Sequence, residues 1–144
     1  MSLKQILVAV DDSEFAAQAA AVALELAKSL KAKIGFVHVF NPTVGPGTTW
    51  SVPADTLAEL SEQEAKRLLS EFRERAPARS KVAEFLESGN PGAKIVDVAK
   101  RWPADLIVIG SHGRGRIGGL LLGSVSQAVL SHASCPVMVV RART

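Results

Sequence analysis

One cysteine, Cys135, stands in this chain of 144 residues, so no disulfide can close within it. A reducing compartment is the natural expectation. Tyrosine is absent and aromatics make up 5% of the residues. The formal net charge is +3 and no run of five basic residues occurs. Proteins that read nucleic acid concentrate Lys and Arg on one face, often with aromatic stacking residues. That footprint is missing, and no nucleic-acid partner is expected. No stretch approaches the roughly 20 apolar residues that span a bilayer. The apolar run at residues 6–10 is too short for a secretory signal and is stopped by Asp11. A soluble, cytoplasmic protein with no membrane partner is expected. No Gly-Lys pair occurs anywhere, which removes the phosphate loop G-x-x-x-x-G-K-[ST]. Beyond Asp105 there is no acidic residue, but there are four arginines. A polyanion would meet no carboxylate from this third of the chain.

What is present is an alternating pattern. The length fits one domain, since domains commonly run to about 100–200 residues, and 47% hydrophobic residues can fill a core. Residues 4–10 form an apolar run between turn signals, as a buried strand does. Residues 13–30 carry seven alanines, the residue with the best helix propensity, and Asp12 or Ser13 is suited to cap that helix. Residues 33–40 read as a second strand and 41–53, rich in Pro, Gly and Thr, as a loop. Residues 55–76 read as a helix. There Thr56 and Glu59 have capping-box spacing, and Leu57, Leu60, Leu68 and Phe72 can share a face. Glu62 stands four residues before Lys66, and the other charges of 59–75 read as a solvated face.

Residues 82–87 read as a third strand. Asn90-Pro91 is a helix start, followed by Ile95, Val98, Ala99 and Trp102 at helical spacing and ended by Pro103. Residues 105–109 form a fourth strand, 124–132 a last helix and 136–140 a last strand. Strands alternating with helices imply an α/β fold, a parallel sheet covered on both faces. Such sheets bind ligands beyond the carboxyl ends of their strands, where the strand order reverses. Three segments follow from that rule: residues 11–13, the loop after Phe40, and residue 110 onward.

The last of these is GSHGRGRIGGLLLGS, residues 110–124, with six glycines between a strand and a helix. Glycine lets a backbone approach a ligand with no Cβ between them. Consecutive N–H groups can form an anion nest, and Gly123-Ser124 open a helix whose N-terminus favours phosphate. Arg114 and Arg116 can add charge. The dinucleotide fingerprint G-x-G-x-x-G is matched by Gly113, Gly115 and Gly118, but in the wrong place. That motif follows a first strand and needs an acid about 20 residues on. This match follows the fourth strand, and no acid follows it.

A different pattern fits better. Gly110-x-x-Gly113, nine residues, then Gly123-Ser124 is G-2x-G-9x-G-[ST]. It resembles the ATP-binding loop of the universal stress protein family. The likeness extends over nearly the whole chain, through ILVAVDDSE, the strand ending His38-Val39, DLIVIGSHGRG and the closing SCPVMVVR. Ala9 stands where some members have proline.

The resemblance implies a five-stranded parallel sheet of Rossmann-like, adenine nucleotide alpha hydrolase-like type. It implies ATP as the ligand, with any Mg²⁺ carried on the phosphates. Asp11 matches the position that contacts the adenosine portion, and Val39 one whose backbone meets adenine. Ile109 belongs to the same set, Gly110 and Gly113 line the ribose and phosphate side, and Gly123, Ser124 and Val125 hold the phosphates. Arg114 is a further candidate for phosphate. The resemblance also implies a homodimer through residues 136–140.

The histidines point elsewhere. His38 reads as a hydrogen-bonded structural residue. His112 lies in the loop, yet one histidine makes neither a metal site nor a base–nucleophile pair, and His132 and Cys135 read as structural. No catalytic or metal-binding residues are assigned. A nucleotide-dependent sensor or regulator in stress response, acting on an unknown protein partner, is the expectation. A slow ATPase and a dimeric scaffold with an empty loop are the alternatives.

Overall fold

The computed structural model describes residues 2–41, 54–113 and 122–141. Its elements run β1 (Gln5–Ala9), α1 (Glu14–Leu30), β2 (Lys33–Phe40), α2 (Ala54–Glu74), β3 (Val82–Ser88), α3 (Pro91–Arg101), β4 (Leu106–Gly110), α4 (Ser124–His132) and β5 (Val137–Val140). The strands form one parallel sheet in the order β3-β2-β1-β4-β5. The order runs backward from β3 to β1, then jumps to β4. The switch point therefore lies between β1 and β4.

Side chains in β1 alternate between two cores, as a period-2 strand requires. Ile6, Val8 and Val10 join Phe36 and Val108 beneath α1 and α2, where Ala16, Ala19, Ala20, Ala23, Leu69 and Phe72 close the layer. Leu7 and Ala9 join Val37, Ile107 and Ile109 on the other face, under Ile95, Val98 and Ala99 of α3 and Val129 of α4. The small alanines bring α1 close to the sheet. Gly110 measures how close: a Cβ there would lie 2.8 Å from Phe15 Cβ and 2.9 Å from Phe15 O.

The helix ends follow side-chain chemistry, with two departures from expectation. Of the two cap candidates for α1, Ser13 takes the role and accepts from Ala16 N. Asp11 in turn accepts from Ser13 N at 2.9 Å and from the Ser13 hydroxyl. Asn90 caps α3 by accepting from Ala93 N at 3.0 Å, with Pro91 in the first turn. α2 already begins at Ala54, so Thr56 lies inside the helix rather than at the N-cap of a capping box. Its buried stripe is Ala65, Leu69 and Phe72, while Leu60 is 54% exposed. The leucine at 69 sits four residues after Ala65 on the sheet side, a phase that leaves Leu60 facing outward. Glu62 and Lys66 pair as their spacing suggested, at 3.3 Å.

Candidate functional site

Val10 joins the carboxyl ends of β1 and β2. Its N–H donates to Val37 O at 2.9 Å, and its carbonyl accepts from His38 Nδ1 at 2.8 Å. Asp11 follows at once, and its Oδ1 is held by Ser13. Across the switch point, β4 ends at Gly110. A Cβ on Gly113 would stand 2.7 Å from Asp11 Oδ2, so glycine at 113 lets the loop backbone lie over that carboxylate.

The two ends of the glycine-rich segment meet. Ser111 N donates to Val140 O at 2.9 Å, and Ser111 O accepts from Gly123 N at 2.7 Å. Gly123 is the N-cap of α4 and offers no side-chain cap. Gln127 N makes the first turn's bond, to Gly123 O at 3.0 Å. The N–H groups of Ser124, Val125 and Ser126 precede it and have no intrahelical acceptor. They form the positive end of the helix dipole. Buried Ser126 donates its hydroxyl to Gly110 O at 2.7 Å, which ties this turn to the end of β4.

These parts surround one cleft of about 570 Å³, inside the usual range for small-molecule sites of roughly 300–1,000 Å³. Asp11, Val39, Ile109, Gly110, Gly113, Gly123, Ser124 and Val125 all line it. The structure thus gathers eight of the nine candidates from the sequence. The ninth, Arg114, lies outside the described residues, as do Arg116 and residues 42–53 of the loop after Phe40. The cleft has a carboxylate at one side and free helix N–H groups at another. It can hold a ligand that carries both hydroxyl or amine donors and an anionic tail.

A family comparison fits this geometry. The model of the universal stress protein family matches residues 2–141. The chain belongs to the universal stress protein family. A universal stress protein of Thermus aquaticus is 37% identical over 145 residues, covering 96% of this chain and 98% of its relative. Two solved neighbours carry nucleotides. A universal stress protein in complex with cAMP superposes with a TM-score of 0.73 at 26% identity, covering 97% of this chain and 98% of its own. The universal stress protein from Archaeoglobus fulgidus in complex with dAMP gives 0.64 at 27% identity, covering 96% and 98%.

In this universal stress protein, α2 adds a wall that spacing alone did not reveal. Glu64, Arg67 and Glu71 are solvated, as their charge pattern suggested, but they also border the cleft. Arg67 lies 3.7 Å from Glu64 and 4.0 Å from Glu71. Ser126 is a further lining residue without a sequence signal of its own, and Pro91, legible only as a helix start, lines the cleft as well. The histidines hold structural bonds. His112 is buried against the Phe15 ring, 5.4 Å between centroids, with Ser111 Oγ 3.2 Å from its Nδ1. His132 Nδ1 donates to Ala128 O at 2.9 Å. Burial pushes the Cys135 thiol up from its ordinary range, with Asp105 adding to the rise. Among the described residues, no three His, Cys, Asp or Glu groups converge as a metal site, and no helix is long and apolar enough to cross a membrane.

Proposed function

We propose that this universal stress protein binds ATP in the cleft and acts as a nucleotide-dependent sensor or regulator in stress response, with little or no hydrolysis. The observation that carries the reading is the pairing of two ends in one cleft. Asp11 and Val39 lie at the strand side, and the uncapped N-terminus of α4 lies across from them. Asp11 and the Val39 backbone take the adenosine portion. Ile109, Gly110 and Gly113 line the ribose and phosphate side, and Gly123, Ser124 and Val125 hold the phosphates. Arg114 supplies charge to the same end. Mg²⁺ rides on the phosphates. The neighbours' cAMP and dAMP share an adenine nucleotide with this ligand, which supports the base and first phosphate. The N–H groups of α4 support the longer phosphate chain.

Gly123→Val tests the assignment. A Cβ at 123 would lie 3.3 Å from His112 Cα and 3.5 Å from Ser111 O, so a branched side chain closes the mouth of α4. The variant should stay folded and lose ATP binding by about tenfold or more, roughly 1.4 kcal/mol. Unaltered affinity would remove the phosphates from this helix end. One observation favours a slow ATPase instead, namely that α2 brings Glu64 and Glu71 to the cleft. Phosphoryl transfer to water needs a residue that orients it. Multiple-turnover phosphate release that disappears in Gly123→Val would establish that reading.

Two further points belong to the same proposal. Among the described residues the edge strand β5 pairs with β4 alone, and its four residues are half-buried. It forms a homodimer by meeting the same strand of a second copy, since an edge strand presents unpaired backbone groups. The unpaired Cys135 fits a reducing compartment such as the cytoplasm.

A further inference from the structure

At the amino ends of the strands, Lys4, Lys31 and Lys33 line a second, open hollow with Ser2, Leu3 and Leu30. The three lysines are apart in the sequence, and backbone bonds collect them. Lys33 N donates to Lys4 O at 2.8 Å, and Lys4 N donates to Asp105 Oδ2 at 2.9 Å. Lys31 N donates to Ala27 O, and Ala32 N does so too, at 2.9 Å. Lys28 stands about one turn earlier on α1. Lys81 precedes Val82, the register partner of Ile34, and so stands beside Lys33 at the start of the next strand. Among the described residues, none of Lys4, Lys28, Lys31, Lys33 and Lys81 lies within ion-pair reach of an acid, whereas Lys66, Arg67, Arg73 and Arg101 all do. Asp105 stands at this end, but its Oδ2 is taken by the N–H groups of Lys4 and Gln5. The C-terminal dipole of α1 accounts for Lys28. It does not account for Lys4, Lys33 or Lys81, which stand at strand starts. Nor does it account for lysine at 31, where φ is 54 and glycine is the usual occupant because a Cβ is strained there.

We propose that this basic face docks an acidic segment of a partner protein, with an apolar residue of that segment set against Leu30. Its lining shares no residue with the cleft, so the docking holds whatever ligand the cleft takes. Leu30 is 46% exposed and lies among the lysines, an apolar contact with a cationic rim. A single small anion matches this face poorly. Lysine is a point charge on a flexible stem, and neighbouring strands hold the stems about 4.8 Å apart or more. An extended chain of carboxylates meets them one by one. Nucleic acid would need stacking partners, and no aromatic side chain lines the hollow. A membrane would need apolar area to insert. Leu3 is packed against the core, which leaves Leu30 as the lining leucine able to do so.

The test is fluorescence anisotropy of a labelled peptide of repeated Glu-Glu-Leu, titrated with the full chain. Binding should be saturable. It should weaken between about 0.1 M and about 1 M salt, as the screening length falls from about 10 Å to about 3 Å. A peptide with Gln in place of Glu should bind about tenfold more weakly or less. Lys31→Gly removes one charge and relieves the strained backbone. It should weaken the peptide about threefold while raising Tm, so that lost binding is not lost folding. Lys4→Gln with Lys33→Gln should weaken it about tenfold. Lys100→Gln takes one charge from α3, across the sheet, and should shift affinity by less than about twofold. Leu30→Gln should weaken Glu-Glu-Leu about threefold and leave a Glu-Glu-Ala peptide unchanged. Equal binding by the wild type, Lys31→Gly and the double variant would place the peptide elsewhere and overturn the proposal. So would equal binding of the glutamine peptide, or no saturable binding at all. Co-sedimentation with phosphatidylserine vesicles, without peptide binding, would overturn it in favour of a membrane.

Discussion

Gly110 and Gly113 lie three residues apart and do different work. At 110 an added Cβ meets the backbone of Phe15, which α1 holds in place. Gly110→Ala should cost about 1–3 kcal/mol of stability through overpacking, read as a lower midpoint in urea. At 113 the added Cβ meets Asp11 Oδ2, the end of a side chain whose other oxygen is held by Ser13. Gly113→Ala should turn the carboxylate and weaken ATP by about tenfold, with stability changed by less than about 1 kcal/mol. A reversed pattern, with 113 destabilising and 110 harmless, would contradict the geometry. Cys135 gives a third outcome at this scale. Its raised thiol pKa means less thiolate near neutral pH, and thiolate is the reactive form. Alkylation should be slower in the folded chain than in urea at the same pH, and equal rates would show the thiol to be unprotected.

At the scale of elements, the caps decide where helices start and stop. Asn90→Ala should cost about 1 kcal/mol by freeing Ala93 N from its acceptor. α1 ends at Leu30 and is capped by Lys31, which holds the left-handed conformation at φ 54. A residue with a Cβ is strained there. Lys31→Gly should raise stability by about 0.5 kcal/mol, the relief being partly offset by glycine's freedom in the unfolded chain. A fall in Tm would contradict that reading.

Elements of this kind were largely legible in the sequence. The extents of β2 and α4 agree residue for residue, because each is bounded by turn residues and filled by one periodic pattern. The start of α2 was read to within one residue, at 55 against Ala54, but the capping-box role of Thr56 does not hold. Thr56 and Glu59 have the spacing of a cap, but the helix begins earlier, and local spacing does not register what the preceding chain does. Leu60 was grouped by spacing with Leu57, Leu68 and Phe72 on one face, yet it is exposed while Phe72 is buried. The sheet instead takes the stripe through Leu69 and Phe72, and that phase is set by tertiary packing.

On the scale of the whole molecule, the site is a product of strand order. Asp11 and Gly113 are distant in sequence. They meet because β1 and β4 are neighbours at the switch point. The glycine spacing and Asp11 were visible in the chain. The roles of Ser126 and the α2 wall were not, since a serine in a first helical turn and a charged helix face have many uses. The proposed dimer is also a whole-molecule property. Light scattering should give twice the chain mass of 15.2 kDa, and monomer at all concentrations would remove the β5 pairing.

The measurement that bears most directly on the central claim is calorimetric titration of nucleotide-free protein with ATP and Mg²⁺. The account predicts saturable binding near one site per chain, reduced in Gly123→Val. No detectable heat at several temperatures, with no displacement in a competition assay, would contradict it.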